Sequence, residues 1–280
     1  MMQETHLVPM HGGGHVALHR YKPSNPVGSP VVVAHGTLSN QLAVEHLGVF
    51  FAEQGFDTWL LEWGGHGQAR PAYRQQNFEY PALNDLPVAI DFVVQHTGHS
   101  QLHWTSHSGG GLLALMLLAR QPERTSQIKS LSLIGAQVTD AAPNLKEKIR
   151  VAALGALTRL FGRTPRKLVP IGPEGEPTLL LVQWCKWNLS GKWKGADGFD
   201  YLAALKQVSV PSLVIAGGRD DVAPPKGCRR IYEALGGPKT WHECTVQKGF
   251  SKDFSHSQMI RGEAAKTEVF PLLHQFIQTI

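Results

Sequence analysis

The segment Ser106-His107-Ser108-Gly109-Gly110 has the residue types of a nucleophile site. With Ser106 and Gly110 two positions to either side, Ser108 can occupy the apex of a sharp turn, because small residues let the arms of such a turn approach each other. A serine hydroxyl is a poor nucleophile at neutral pH. It needs an imidazole to take its proton and a carboxylate to fix the imidazole's tautomer and stabilise its cation. Two later segments offer these groups. Gly217-Gly218-Arg219-Asp220-Asp221-Val222-Ala223-Pro224 carries a carboxylate at Asp220, with Asp221 as its competitor, and Phe254-Ser255-His256-Ser257 carries an imidazole at His256. Alone, the serine pentapeptide recurs by chance about once in ten chains of this length. Its weight therefore comes from the elements around it.

Those elements follow from hydrophobic periodicity. A hairpin is predicted to turn at His11-Gly12-Gly13-Gly14 before the alternating Val16, Leu18 and Arg20. Val31-Val32-Val33-Ala34 is wholly apolar and bounded by Pro30 and Gly36, as expected of a strand buried on both faces of a parallel sheet. Leu42, His46, Phe50 and Phe51 recur at helical spacing before Gly55, a C-terminal stop, and Thr58-Trp59-Leu60-Leu61 is extended again. A helix over 84–97 with Asn84 as N-cap and Pro87 in its first turn leads to the strand Leu102-His103-Trp104-Thr105, a helix over 110–120 and a strand over 130–134. Beyond 201 the alternation resumes with a strand over 212–216, a helix over 226–235, a strand over 240–246 and a final helix over 262–278. Regular β/α alternation predicts a mostly parallel, doubly wound sheet with right-handed crossovers. Ser108, Asp220 and His256 would each follow a different strand and so share one sheet edge. Between 140 and 201 the rhythm fails, with basic residues, Pro165, Pro170, Pro173 and Pro177, and Trp184, Trp187 and Trp193. The expected division is a core of 1–139 and 202–280 with a partly helical cap of 140–201.

Composition narrows the function classes. Hydrophobic residues are 42% and charged residues 18% of 280, which excludes disorder and long coiled coils and allows a large core. The net charge of +5 comes without a basic arm, so nucleic acid is not an expected partner. No apolar stretch reaches the ~18 residues of a membrane span, and the first ten residues lack the apolar core of a secretory signal, which points to a cytoplasmic protein. Cys185, Cys228 and Cys244 are odd in number and lack CxxC spacing, so they are expected to be reduced structural thiols. His11, His15 and His19 repeat every four residues, but the glycines between the first two argue against a helix presenting a metal site. Trp63-Gly64-Gly65-His66-Gly67 lacks the Lys-Ser/Thr of a phosphate-binding loop and is expected to be a turn near the site. His107 is expected to pack at the serine turn.

The chain resembles the serine-type α/β-hydrolases, and its first half is similar to their acid-lipase branch. His35-Gly36-Thr37-Leu38, Gly55-Phe56-Asp57-Thr58-Trp59-Leu60, Asp85-Leu86-Pro87-Val88-Ala89-Ile90-Asp91-Phe92 and Gln101-Leu102-His103 running into the Ser108 turn carry the likeness, which spans residues 25–138 and 205–280. The segment 140–201 departs from that branch, although Trp184-Cys185-Lys186-Trp187 is similar to a pattern in predicted bacterial α/β-hydrolases. Ser106 stands where the family usually has Gly.

The resemblance implies an α/β-hydrolase fold with an inserted helical cap, and a serine hydrolase that cleaves carboxylic esters through an acyl-enzyme on Ser108. It implies backbone N–H donors from Thr37 and Gly109 for the oxyanion, and no metal or organic cofactor. The family's Asp, any residue, aliphatic, any residue, Pro pattern fits Asp220 with Val222 and Pro224. The expected partner is a small ester with a hydrophobic acyl group. Trp184 and Trp187 are candidate walls of the acyl pocket, and plain cap core is their alternative. Arg150, Arg159, Arg163, Arg166 and Lys167 are read as a solvated face, or as steering for an anionic substrate or docking on an anionic surface. Acyl transfer, peptide or lactone cleavage with the same triad, and a ligand-binding homologue without turnover remain open at this point.

Overall fold

The computed structural model describes residues 1–73, 76–162, 164 and 172–280. Arg163, Pro165, Arg166, Lys167 and Pro170 lie outside the described residues. The core is an eight-stranded sheet in the order β1-β2-β4-β3-β5-β6-β7-β8. Its strands are β1 Met2–Pro9, β2 His15–Lys22, β3 Val31–Ala34, β4 Thr58–Glu62, β5 Leu102–His107, β6 Ile128–Ile134, β7 Ser212–Gly217 and β8 Lys239–Cys244. β1 and β2 form the N-terminal hairpin, β2 runs antiparallel to β4, and every pairing from β4 to β8 is parallel.

Period-two alternation splits the core into two layers. Val32 and Ala34 of β3 join one cluster with Trp59, Trp104 and Leu131, whereas Val31 and Val33 join the other with Leu60, Ile134 and Ile215. The first layer is covered by α2 Leu86–Thr97, α3 Gly109–Arg120 and α7 Pro225–Ala234, and the second by α1 Glu45–Glu53 and α8 Phe270–Gln278. Gly55 ends α1 as expected: with φ 93° it lets its own N–H bond the Ala52 carbonyl and that of Phe56 bond the Phe51 carbonyl.

The helix expected to start at Asn84 begins earlier. Asn77 Oδ1 accepts from the Tyr80 N–H, and Pro81–Asp85 form a wide π turn that runs directly into α2. Pro87 has no N–H to give, and the widened turn just before it, closed by the Leu86 N–H on the Pro81 carbonyl, makes room for its ring. Asn84 therefore sits within the helix, donating to the Tyr80 carbonyl at 2.9 Å.

Between β6 and β7 the chain makes its long excursion through α4 Leu145–Phe161, α5 Thr178–Ser190 and the short α6 Tyr201–Ala204. Asn144 caps α4 by accepting from the Glu147 N–H, and Gly162 and Gly191, both left-handed, end α4 and α5. Ala142, Val151, Leu181 and Cys185 form a small cluster of their own where α4 and α5 pack. Arg120 of α3 ties the excursion down with two 2.7 Å hydrogen bonds to Asp197.

α3 lies unusually close to the loop after β3. A Cβ on Gly110 would stand 2.6 Å from the His35 carbonyl oxygen and 3.0 Å from Ala34, both backbone-anchored. Gly110→Ala should therefore destabilise the fold by about 1–3 kcal/mol although alanine is the better helix former by about 1 kcal/mol. Urea unfolding midpoints measure this, and a more stable variant would contradict the close packing.

Candidate active site

β5 delivers the chain to Ser108, which has φ 52° and ψ −120° and starts α3. A non-glycine residue there costs about 1–3 kcal/mol and persists only where its neighbours fix it. Here the Ser108 N–H bonds the Ile134 carbonyl at 2.8 Å, and its own carbonyl accepts from Gly111 at 3.0 Å. The loop after β3 closes over it: a Cβ on Gly36 would lie 2.9 Å from Ser108 Cβ. Ser106, in place of the usual glycine, is accommodated by Gly111, whose missing Cβ would stand 3.3 Å from Ser106 Oγ. That hydroxyl donates to the Ser132 carbonyl at 3.2 Å.

Past the end of β7, Asp220 is buried and its carboxylate is fully engaged. Oδ1 accepts from the N–H groups of Val222 at 2.9 Å and Ala223 at 2.7 Å, and Oδ2 accepts from His256 Nδ1 at 2.7 Å. Asp221 is exposed and Asp220 is the carboxylate on His256. With Nδ1 donating, His256 keeps Nε2 as an acceptor. Gly135, after β6, leaves the space for this pair, since a Cβ there would stand 3.2 Å from His256 Nδ1 and 3.3 Å from Asp220 Oδ2. His107 packs against His256 with ring centroids 4.4 Å apart and planes tilted by 46°, and donates from Nε2 to the His256 carbonyl at 3.1 Å. Burial, with the nearby His256, holds His107 well below the usual histidine range, so it packs as a neutral ring.

Thr37 and Gly109 are brought together. A Cβ on Gly109 would be 2.7 Å from Thr37 Cγ2 and 3.0 Å from Thr37 N, so a glycine is what lets the two backbones approach. Both residues line, with Ser108, a narrow pocket with about 10 Å³ of free space. Phe78, Leu112, Gly135, Gln137, Trp184, Val222 and Ala223 complete its wall. Trp184 thus reaches the pocket and Trp187 does not. Trp187 is 1% exposed, packs on Phe78 at 5.1 Å between ring centroids and on Trp193 at 6.2 Å, and donates from Nε1 to the Lys194 carbonyl. An indole N–H buried there needs that acceptor, which makes Trp187 a core residue behind Phe78. Arg150 and Arg159 lie exposed on α4, Arg150 paired with Glu147 at 2.8 Å.

Among the described residues, one group could offer three metal ligands: Glu4 and His6 of β1 with His96 of α2. The Arg20 guanidinium lies 3.1 Å from His96 Nε2, a charge that opposes a cation there. All three cysteines are buried and unpaired, with burial pushing the Cys185 and Cys244 thiols up to about 12.

The profile described as the alpha/beta hydrolase fold matches residues 29–166, and the sheet order and helix layers match that architecture. The chain has the α/β-hydrolase fold. Gastric triacylglycerol lipase of Homo sapiens is 29% identical to it over 150 residues, covering 48% of this chain and 38% of the lipase. Lysosomal acid lipase/cholesteryl ester hydrolase of Homo sapiens is 29% identical over 132 residues, covering 42% of this chain and 32% of that one. The matched part of the chain thus spans well under half the length of these curated relatives. An esterase from Exiguobacterium antarcticum has the same fold, with a TM-score of 0.68 at 18% identity, covering 98% of this chain and 100% of that one.

The sequence reading missed a buried network beside Thr37. His66, expected as part of a turn, is fully buried and pairs through Nε2 with Glu176 Oε1 at 3.1 Å, while Nδ1 bonds the Trp63 carbonyl at 2.6 Å. The same Glu176 oxygen accepts from the Leu38 N–H. His35 stacks on Trp63 at 5.2 Å, and burial lowers it to about 3, so it is neutral. Glu176 and His66 are 110 positions apart and Glu176 sits in a Pro/Gly-rich stretch, so local pattern carried no signal for the pair. Phe78 and Gln137 were missed too. Leu112 could have been found, one helical turn after Ser108, and Val222 and Ala223 directly follow Asp220.

Burial works against the His66 proton, but the charge and hydrogen bond of Glu176 and the Trp63 carbonyl outweigh it and raise His66 to about 9. A histidine raised above its ordinary value of 6.5 contributes stability that is complete below 6.5 and lost as pH climbs through about 9. Stability should fall over that window by something of the order of 3 kcal/mol, and Glu176→Gln should flatten the decline. Urea titrations at pH 6 and pH 9.5 on both proteins check this; an unchanged slope in the variant would dissociate Glu176 from the effect.

Proposed function

We propose that this α/β-hydrolase is a serine hydrolase of carboxylic esters. The observation that carries the reading is the Asp220–His256 pair, bonded at 2.7 Å and packed against Gly135, which lines the same pocket as Ser108. Ser108 Oγ attacks the acyl carbon while His256 takes its proton; His256 then returns the proton to the leaving alcohol, and water repeats the sequence on the acyl-enzyme. Asp220 holds the His256 tautomer and stabilises its cation. The Thr37 and Gly109 N–H groups receive the oxyanion, each such donor contributing about 3 kcal/mol to the transition state. The ester bond class is supported by the names of the lipases and the esterase that the chain resembles.

Residues 140–201 act as a cap, and Trp184, carried by α5, closes the acyl pocket against Phe78, Leu112, Val222 and Ala223. The pocket is narrow, with about 10 Å³ of free space and Trp184 in its wall, so a short acyl group suits it better than a long one. Three buried unpaired thiols suit a reducing compartment such as the cytoplasm. Among the described residues no helix is long and apolar enough to cross a membrane.

A fluorophosphonate should label the wild type and leave Ser108→Ala unmarked; equal labelling of both would overturn the nucleophile assignment. Asp220→Asn should lower kcat by about 10⁴-fold through the wrong His256 tautomer. Against nitrophenyl esters, acetate and butyrate should be turned over faster than octanoate, and Trp184→Ala should move the optimum to longer chains. A wild type that prefers octanoate would refute the short-acyl pocket.

A further inference from the structure

Thr37 is fixed from two sides. On one, Gly36 is wedged against Ser108 and His107, where a Cβ would stand 2.9 Å and 3.2 Å from their side-chain atoms. On the other, Leu38 is a non-glycine residue at φ 59°. Both of its peptide groups are bound by a segment about 135 positions further along the chain. The Leu38 N–H donates to the Glu176 carboxylate, and the Leu38 carbonyl accepts from the Glu174 N–H at 3.1 Å. Glu174 Oε1 in addition accepts from Asn40 Nδ2 at 2.8 Å. The approach is so close that a Cβ on Gly172 would fall 1.9 Å from the Leu38 carbonyl oxygen.

Glu176 is itself held firmly. Its side chain is 0% exposed, its N–H and carbonyl both meet Thr164, and its Oε1 is shared by the Leu38 N–H and His66 Nε2. A carboxylate buried this deeply is costly unless paired, and a purely structural tie would be made more cheaply by an amide or an apolar contact. What a charged acceptor adds is a strong, directional hold on one N–H, because hydrogen bonds to an ionised acceptor are about twice as strong as neutral ones. The N–H it holds is the one immediately after the proposed oxyanion donor.

We infer that Glu176, with His66 as its counter-charge, is a positioning residue for the oxyanion loop: from the segment between α4 and α5 it holds the Leu38 peptide so that the Thr37 N–H stays aimed at the pocket. The inference rests on the ester-hydrolase reading for its kinetic consequence and on the Glu176–Leu38 contact for its structural one. An oxyanion donor acts in the transition state more than on bound substrate, so a loosened loop reduces kcat and leaves KM nearly alone.

The test uses the full chain with Glu176→Gln, which keeps the shape and an acceptor but removes the ion pair, and Glu176→Ala, which removes both. With nitrophenyl butyrate, E176A should lose about 30- to 100-fold in kcat and E176Q about 3- to 10-fold, with KM within about twofold of wild type in both. Phosphonylation of Ser108 should slow in parallel, and amide hydrogen exchange should quicken in the peptide spanning 36–42 while the β5 and β6 peptides stay protected. Unchanged kcat, a loss confined to KM, or exchange no faster in 36–42 than in wild type would each overturn the inference. If E176A does not fold, the same three readings on E176Q decide. A wild type without ester turnover would defeat the hydrolase reading, and exchange at 36–42 would still decide whether Glu176 holds the loop.

Discussion

The left-handed backbone of Ser108 is the constraint on which the rest of this molecule is arranged. A chain leaving a buried parallel strand and entering a helix within one residue must adopt a torsion that L-residues avoid, and it stays there only if the surroundings exclude every alternative. The surroundings do so by having almost no side chains. Gly36 faces the serine, Gly109 faces Thr37, Gly110 faces the His35 carbonyl and Gly135 lies against the His256–Asp220 pair, and a methyl group at any of them would displace backbone or a proposed catalytic side chain. Sheet register, two-layer packing and the close approach of α3 to the loop after β3 are the means by which these glycines are brought to one edge.

The same edge divides polar and apolar labour between two parts of the chain. The sheet carries the residues proposed to move protons and receive charge, because strand ends expose backbone N–H groups and carry loops that can be held by their neighbours. The excursion between β6 and β7 supplies bulk, with Trp184 in the pocket wall and Trp187 and Trp193 as its own core. Where the two parts touch near Thr37, the contact is ionic. Glu176, Glu174 and His66 meet there, and two further buried carboxyl groups brace the loop after β4: Glu62 accepts from the Gln41 and Gln68 N–H groups, and Asp85 accepts from the Gly64 N–H at 2.7 Å. Burial pushes Asp85 up to about 6. So much charge behind one short loop suits a function in which tenths of an ångström in an N–H direction alter a rate.

Legibility in the sequence tracked the range of the physical cause. The strands were readable because burial on both faces leaves an unbroken apolar run, as in Val31-Val32-Val33-Ala34, and Gly55 was readable because a helix stop is a local backbone matter. Asp220 over Asp221 could be argued from the spacing to Val222 and Pro224, and that spacing is also what lets the N–H groups of Val222 and Ala223 fold back onto Asp220. Asn84 misled because a good cap residue was taken with a proline three positions on, when the capping residue was Asn77 and the proline had been absorbed by a π turn. Trp187 misled for a different reason. Two tryptophans three apart on one helix share a side, yet the acceptor for a buried indole N–H, here the Lys194 carbonyl, is set by tertiary contact. Glu176 was silent because its partners Leu38 and His66 lie more than a hundred positions away.

The placement of those long-range contacts bears on how a pocket can vary while its chemistry does not. Ser108 and Asp220 are positioned by backbone hydrogen bonds at strand ends, and His256 by Asp220 and His107, so changes in the excursion can alter Trp184 and its neighbours without moving them. The oxyanion loop is the exception. It is held on its Gly36 side by the sheet and on its Leu38 side by the excursion, so under the proposed mechanism it joins the shape of the pocket mechanically to the stabilisation of the transition state. A substitution between α4 and α5 that shifts residues 172–176 therefore acts on rate as well as on fit, whereas one on α5 facing the pocket acts on fit alone.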